Sequence, residues 1–232
     1  MKNFLIVTCL LYSMQLFPQL LSSGSLRPTQ VVDSNRFNDV WELRFSKQKP
    51  TKLEINGSVY LFDSWKEIGT LYLDEKRYTL TDINYNALYD RFEFKISKDS
   101  VLVFDNMDSI QIKNKKFKRF YFDANKGQRY AEVLFKGQNY TLIKEFTAKF
   151  IEATPNPLML KNNGHKYVLV EKYYVKNNKT NNLSPLKKSK KEIIRLFSDR
   201  GEDVKAYLKE NKLSYKKEND LVKIFEHYDV VL

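Results

Sequence analysis

The sequence predicts an α+β fold that is mainly β: an antiparallel sandwich, roll or barrel of about ten strands, followed by two or three short C-terminal helices. Three observations support this prediction. Residues 41–176 hold short apolar and aromatic runs with a period of two, separated by polar turns at roughly 8–12-residue spacing. After residue 176 the apolar period becomes helical. The chain has only seven glycines and six prolines and no Gly- or Pro-rich linker, so we expect one compact unit.

The strands are predicted from alternation along the chain. In residues 91–96, Phe92 and Phe94 fall on one face and the charged Glu93 falls on the other. A hairpin is predicted where Asn56-Gly57 separates the runs 52–55 and 58–62, because this dipeptide suits a two-residue turn. The other predicted strands are residues 70–73, 77–80, 100–104, 109–112, 117–122, 130–135, 140–151 and 167–175.

The helices are predicted from capping signals and apolar spacing. Ser189-x-x-Glu192 forms a capping box ahead of an apolar run, and Asp199-x-x-Glu202 repeats the pattern. A third helix is predicted around residues 221–228, where apolar side chains recur at helical spacing. Each helix is short and amphipathic, so we expect its apolar stripe to pack on the β domain.

The N-terminus predicts export. Lys2 precedes the apolar run 4–12, and small residues follow at Ser22-Ser23-Gly24, which is the layout of a cleaved signal peptide; a cut after Gln19 is the alternative. Polar residues interrupt the run before the ~20 apolar residues that a spanning helix needs. We therefore expect a signal peptide over 1–24, an antiparallel β domain over 25–182 and a helical segment over 183–232. The predicted location is the periplasm or cell envelope, and after removal of the signal the chain is not expected to span the membrane.

The formal charge of +12 favours acidic partners. Because the chain is predicted to be exported, the expected partners are an anionic envelope glycan, a lipid headgroup or an acidic protein, and nucleic acid is not expected. The alternative interpretation is that the lysines form an ordinary solvated surface.

Two basic clusters are candidate binding residues. Lys187, Lys188, Lys190 and Lys191 surround the start of the first predicted helix, where the helix dipole is also positive. An anion at this position would contact cations and free backbone N–H groups together. Solvated lysines, relieved in part by Glu192, are the alternative.

The second cluster is a basic, aromatic strip over residues 115–122, in which Lys116, Lys118 and Arg119 are the candidate binding residues. Alternation places Phe120 on one face and Phe117 on the other. One interpretation is a surface suited to sugar rings; the other is a central strand that is covered on both sides.

No catalytic or metal-binding motif supports an enzymatic function. The two histidines, His165 and His227, stand alone without a second ligand at metal spacing. The sequence also lacks the Gly-x-Ser-x-Gly pattern and a phosphate-binding glycine loop. No cofactor is predicted. A hydrolase of envelope glycans or esters, built from scattered carboxylates, stays open as the alternative function.

Several segments resemble exported proteins of flavobacteria and related Bacteroidota, a group to which no activity is attached. The resemblance lies in residues 56–62 with Trp65, in residues 84–86 and 92–94, and in residues 211–217 with 220–222 and Tyr228. It spans most of the chain after the predicted signal, and it implies a bacterial cell-envelope setting. The predicted function is therefore that of a non-enzymatic, exported binding or interaction protein.

Overall fold

The computed structural model describes residues 30–32, 45–49, 56–104, 107–153, 164–197 and 201–229. The chain is mainly β, and three short helices follow the strands, as the sequence predicts. The predicted signal peptide, residues 1–24, lies outside the described residues, as do the run 52–55 and Asp199.

The elements follow one another along the chain in the order predicted, strands first and helices last. The strands are β1 Gln30–Val32, β2 Phe45–Gln48, β3 Gly69–Leu73, β4 Lys76–Leu80, β5 Ile83–Asn86, β6 Arg91–Ser97, β7 Ser100–Phe104, β8 Ser109–Ile112, β9 Lys115–Tyr121, β10 Gln128–Lys136, β11 Tyr140–Ile151, β12 Lys166–Asn177 and β13 Leu183–Leu186. The helices are α1 Lys190–Leu196, α2 Gly201–Glu210 and α3 Glu218–Asp229.

The strands form two sheets in a sandwich-like arrangement. The larger sheet has nine strands in the order β1-β4-β3-β8-β9-β10-β11-β12-β13, and the smaller has four in the order β2-β7-β6-β5. All pairings between the named strands are antiparallel except that of β1 with β4, and an isolated bridge between Asn56 and Lys166 is also parallel. Successive side chains alternate between the two faces of the larger sheet. We call the face that carries Phe117, Leu142 and Phe146 the inner face, and the opposite one the outer face.

The main core lies between the two sheets. Phe92 of the smaller sheet packs at 5.3 Å from the ring of Phe117 and at 5.1 Å from the ring of Tyr130, both on the inner face of the larger sheet. All three side chains are buried. The rings meet edge to face, which is the geometry that aromatic pairs prefer.

The helices pack on the same inner face, beside the smaller sheet. Leu142 and Val175 of the larger sheet share an apolar cluster with Ile193, Val204 and Phe225, which lie on α1, α2 and α3. The helical segment thus packs on the larger sheet. Ser189 is the N-cap of α1, and its hydroxyl accepts a hydrogen bond from the Glu192 N–H at 3.3 Å, as the capping box predicts.

A β-bulge in β10 changes which side chains reach each face. The pairing of β10 with β11 shifts between Val133 and Phe135, so that strand β10 holds one extra residue. After the bulge, Phe135 lies on the inner face, where its ring packs 6.0 Å from that of Phe225 in α3. Lys136, opposite Thr141, consequently falls on the outer face.

The segment after Asn56-Gly57 differs from the sequence prediction. Residues 58–62 are not a strand, and Tyr60 forms an isolated bridge to Asn86, the last residue of β5. The other predicted arm of this hairpin, residues 52–55, lies outside the described residues. Asn56 exchanges backbone hydrogen bonds with the start of β12, at 3.2 and 2.9 Å. Gly57 has a φ of +89°, which glycine adopts readily, but here it turns the chain toward β12.

The predicted alternation in β6 holds, but the face opposite Phe92 and Phe94 is not exposed at Glu93, which is fully buried. Its carboxylate accepts hydrogen bonds from the Tyr60 hydroxyl and the Asn86 amide, each at 2.9 Å, and pairs with Arg91 at 2.7 Å. A buried carboxylate needs such partners, and two of them come from residues distant in sequence.

The strand β13 falls inside the segment predicted to be helical. It pairs with β12 at the edge of the larger sheet, and Pro185 lies opposite Tyr174. Proline is tolerated there because an edge strand has one side without a partner strand. Our boundary between β domain and helical segment, placed at residue 183, therefore lies one strand too early.

Candidate anion-binding groove

A groove of about 730 Å³ lies on the outer face of the larger sheet. Four lysines from three strands line it, together with half-buried apolar side chains and a few neutral polar ones. The residues that matter for its chemistry are Lys116, Lys118, Phe120, Lys136, Lys176 and Leu183.

Strand register explains why these lysines meet. Lys116 and Lys118 alternate with Phe117 along β9, so they point away from the core. The bulge in β10 brings Lys136 to the same face, opposite Thr141. Thr141 in turn lies opposite Lys176 of β12, so Lys136 and Lys176 flank one residue of β11.

The lysines of the groove have no carboxylate to neutralise them in the part of the chain that the structure describes. None of the four forms an ion pair with a described residue. By contrast, Lys113 and Lys115, in the β8–β9 hairpin next to Lys116, each pair with a glutamate. Burial, and then the positive charges of Lys116 and Lys136, lower the pKa of Lys118; Asp108 acts in the opposite direction but is outweighed. The groove therefore carries uncompensated positive charge, which an anion would relieve.

Neutral polar groups form one end of the groove and are held firmly. The Asn178 amide donates hydrogen bonds to the carbonyls of Gly137 and Gln138 at 2.9 and 3.3 Å, and its oxygen accepts one from the Thr141 hydroxyl at 2.9 Å. Gly137 and Gln138 belong to the turn between β10 and β11 that follows Lys136. The position of Lys136 thus depends on how this turn is fixed.

The turn between β10 and β11 is fixed by the last residue of α3. Asp229 is buried, and its carboxylate accepts hydrogen bonds from the backbone N–H groups of Gln138, of Asn139 at 3.0 Å and of Tyr140 at 2.6 Å. Gly137 has no room for a side chain, because a Cβ there would overlap this carboxylate. The helical segment therefore supports the rim of the groove from the other side of the sheet.

The structure places three of the predicted binding residues at this groove. Lys116, Lys118 and Arg119 all line it. Alternation, however, places Arg119 on the inner face with Phe117, and its guanidinium lies 4.7 Å from the centre of the buried Tyr130 ring. We therefore assign the anion-facing charge to the lysines. The interpretation of this strip as a strand covered on both sides is wrong, because Phe117 on the inner face is buried whereas Lys116 on the outer face is exposed and Phe120 there is half-buried.

The other four predicted residues do not join this groove. Lys187 and Lys188 line a separate hollow of about 360 Å³ beside Glu171 and Tyr173. The ammonium group of Lys188 lies 4.0 Å from the centre of the Tyr173 ring. Lys190 and Lys191 are exposed in the first turn of α1, and Glu192, predicted to relieve them, pairs with Arg195 at 2.8 Å. The four lysines of this cluster therefore do not converge on one position.

Sequence reasoning missed Lys136 and Lys176. Each is the lysine at the end of an apolar strand, and nothing in its local sequence sets it apart from other strand-end lysines. Only the pairing of β10, β11 and β12, including the bulge, shows that both lie on the same face of the sheet as Lys118.

The histidines and the half-buried Asp90 have structural neighbours that account for them. The ring of His165 stacks on Phe150 at 5.4 Å, and that of His227 stacks on Tyr207 at 3.9 Å. Burial raises the pKa of Asp90, which accepts hydrogen bonds from the Tyr85 hydroxyl at 2.6 Å and the Tyr130 N–H at 3.1 Å. The structure describes no group of three metal-ligating side chains. The hydrolase alternative stays a prediction.

No family model matches the sequence, and searches of the curated proteins and of the solved structures find no match. Among the described helices, none is both long and apolar enough to cross a membrane.

Proposed function

We propose that this chain is an exported, non-enzymatic binding protein of the bacterial cell envelope, and that its groove holds an anionic partner. The observation that carries the proposal is the convergence of Lys116, Lys118, Lys136 and Lys176 on one side of the sheet. The predicted signal peptide and the resemblance to exported proteins of flavobacteria support the envelope setting.

The energetics favour binding that is moderate and sensitive to salt. An exposed ion pair contributes about 0.2–1 kcal/mol, so four lysines contribute roughly 1–4 kcal/mol to binding an anion. Relief of the repulsion between Lys116, Lys118 and Lys136 adds to this gain. Because salt screens exposed charges, the affinity falls as ionic strength rises.

The test is a titration of the purified, exported protein with three anionic probes: an oligosaccharide of uronic acids, vesicles rich in phosphatidylglycerol, and polyglutamate. Changing Lys116, Lys118, Lys136 and Lys176 together to Gln weakens binding of the preferred probe by about tenfold to several hundredfold. A control with Lys98, Lys209, Lys216 and Lys223 changed to Gln loses the same net charge from exposed positions outside the groove and retains its affinity. Failure of all three probes to bind refutes the proposal, as does equal loss in both variants.

Export is tested separately. The full-length chain is expressed in a bacterial host, and the mass of the protein in the periplasmic fraction is determined. We expect this mass to show a new N-terminus close to residue 24 or residue 19. Full-length protein confined to the cytoplasm would contradict the envelope setting and reopen nucleic acid as a partner.

A further inference from the structure

The groove combines a charged rim with an apolar floor. Phe120, Val133 and Leu183 are half-buried and line the groove. Beneath them lie buried side chains of the same apolar cluster, including Ile143 and Tyr174. Every member of this cluster is on a strand of the larger sheet or directly follows one. A ligand that fits must therefore present an apolar surface to the floor and negative charge to the rim.

The groove also offers hydrogen-bonding groups that carry no charge. The Thr141 hydroxyl donates to Asn178, and its oxygen keeps the capacity to accept. Asn181 lies at the rim, in the turn between β12 and β13, where it is exposed and has a φ of +59°. Neutral donors and acceptors of this kind suit hydroxyl groups on the ligand.

The charged groups are spread over a length that favours an elongated ligand. β9 and β12 are three strand steps apart in the sheet, which corresponds to ~14 Å. Lys118 and Lys176 therefore lie farther apart than the two sides of a single sugar ring. A chain that crosses the strands would contact both.

We infer that the ligand of the groove is a linear acidic polysaccharide, a chain of sugar rings that carry carboxylate or sulfate groups and lie across β9 to β12. This inference rests on the proposed anion-binding function and specifies its ligand. The C–H faces of the rings pack on Phe120 and Leu183, the acidic groups lie against the four lysines, and the hydroxyl groups meet Thr141 and Asn181. Lysine suits such acidic groups because its ammonium group donates in three freely rotating directions.

An acidic polypeptide fits the groove less well. Extended peptides bind sheets by pairing with a free edge strand. β9, β10, β11 and β12 are interior strands, each paired on both sides. The groove therefore offers few free backbone groups to a peptide, and its contacts are those of side chains.

A lipid surface also fits less well. A membrane contact combines basic residues with apolar side chains that enter the interface. Among the exposed large apolar residues that the structure describes, Tyr121 alone lines the groove. Phe150, Ile151 and Leu169 lie at the distal end of the β11–β12 hairpin, away from the basic rim.

The experiment compares two oligosaccharides of the same linkage and length, one of uronic acids and one of the corresponding neutral sugars, by calorimetric titration. The acidic one binds about tenfold or more tightly than the neutral one. Phe120→Ala weakens binding roughly five- to tenfold, and Phe120→Tyr, which keeps the ring face, restores it. Tyr89→Ala removes a ring that is 57 % exposed elsewhere and leaves binding unchanged. Circular dichroism and thermal melting establish that the variants are folded.

Each other outcome overturns the inference in a distinguishable way. Equal binding of the neutral oligosaccharide, or no effect of Phe120→Ala in a folded protein, contradicts the sugar-face contact. Binding of phosphatidylglycerol vesicles or polyglutamate, with no binding of the uronic acid oligosaccharide, overturns the polysaccharide while the anion-binding function survives. Absence of binding to any probe overturns both.

Discussion

Two lysines on opposite faces of the larger sheet show how differently this fold treats positive charge. On the inner face, Lys144 of β11 is buried and lies 2.6 Å from Glu218, 3.3 Å from Glu132 and 3.8 Å from Glu171. On the outer face, Lys118 of β9 is half-buried, and the charges that lower its pKa are those of two other lysines, Lys116 and Lys136.

The pKa shifts of the two lysines have opposite signs. Burial alone lowers the pKa of Lys144, but the hydrogen bond to Glu218 and the charges of Glu132 and Glu171 outweigh burial, and the pKa is raised. Burial also lowers the pKa of Lys118, and its neighbours lower it further. The difference indicates that the inner charges are paired within the fold, whereas the outer charges repel one another, a repulsion that the proposed ligand would relieve.

The largest expected effect comes from removing the inner lysine. Lys144→Met leaves the Glu218 carboxylate without its closest cation and costs about 3 kcal/mol in the free energy of unfolding. Lys118→Met, the matched change on the outer face, leaves that free energy within about 0.5 kcal/mol of the unsubstituted protein or raises it. Urea denaturation at neutral pH measures both. Similar losses in the two variants would remove the distinction between the faces.

The next largest effect is expected where the two faces are connected. Asp229→Asn removes the charge that holds three backbone N–H groups of the β10–β11 turn, at a cost of about 2 kcal/mol. Because this turn follows Lys136, the variant is also expected to bind the anionic ligand of the groove less tightly. An affinity that stays unchanged in a destabilised Asp229→Asn protein would show that the turn and the groove are independent.

A smaller effect is expected from acid. Burial raises the pKa of Glu218, but the hydrogen bonds from Lys144 and Tyr173, at 2.6 and 2.7 Å, lower it more, and the net pKa is lowered. A carboxylate whose folded pKa is depressed contributes stability above its unfolded pKa of ~4.3, and this contribution is lost as the pH falls through the folded value. The unfolding free energy is therefore expected to decline below about pH 4.

Glu218→Gln serves as the control for the acid effect. The amide oxygen still accepts from Lys144 and Tyr173 but does not titrate, so the variant is less stable than the unsubstituted protein at pH 7 and the gap narrows toward pH 3. A gap that stays constant over this pH range would contradict the assignment.

The smallest expected effect is a change in proton affinity on the outer face. The charges that act on Lys118 come from Lys116 on the same strand, Lys136 on β10 and Asp108 ahead of β8. Removing one positive neighbour through Lys116→Gln is expected to raise the pKa of Lys118, and saturation with the anionic ligand is expected to raise it as well. Carbon-detected NMR of the lysine side chains over an alkaline titration measures both shifts. A Lys118 pKa that does not respond to either change would place the ligand elsewhere.

Much of the fold follows from local patterns in the sequence. The alternation in residues 140–151 predicts β11 with the bounds that it has in the structure, and Ser189 and Glu192 predict the start of α1. These features depend on neighbours a few residues apart, which is the range over which strand and helix periods act. Local patterns do not predict β13, which holds Pro185, because proline is tolerated at a sheet edge and the edge is a property of the whole sheet.

The site was only half predictable for the same reason. Lys116 and Lys118 stand out because they share one strand with Phe120. Lys136 and Lys176 come from two other strands, and the pairing that brings them together spans about forty residues of sequence. Glu93 shows the same limit: alternation predicts the face on which it lies, but its burial depends on Tyr60 and Asn86, which supply hydrogen-bond partners from outside β6.

The bulge in β10 decides which face Phe135 and Lys136 reach. If Leu134 instead entered the regular pairing opposite Leu142, alternation would turn Phe135 outward and Lys136 toward the helices. That register would exchange a ring that packs against α3 for a buried cation, and would take one charge out of the groove in the same step. Deletion of Leu134 keeps Phe135 opposite Leu142 and Lys136 opposite Thr141, so this one residue can be lost without moving either side chain to the other face.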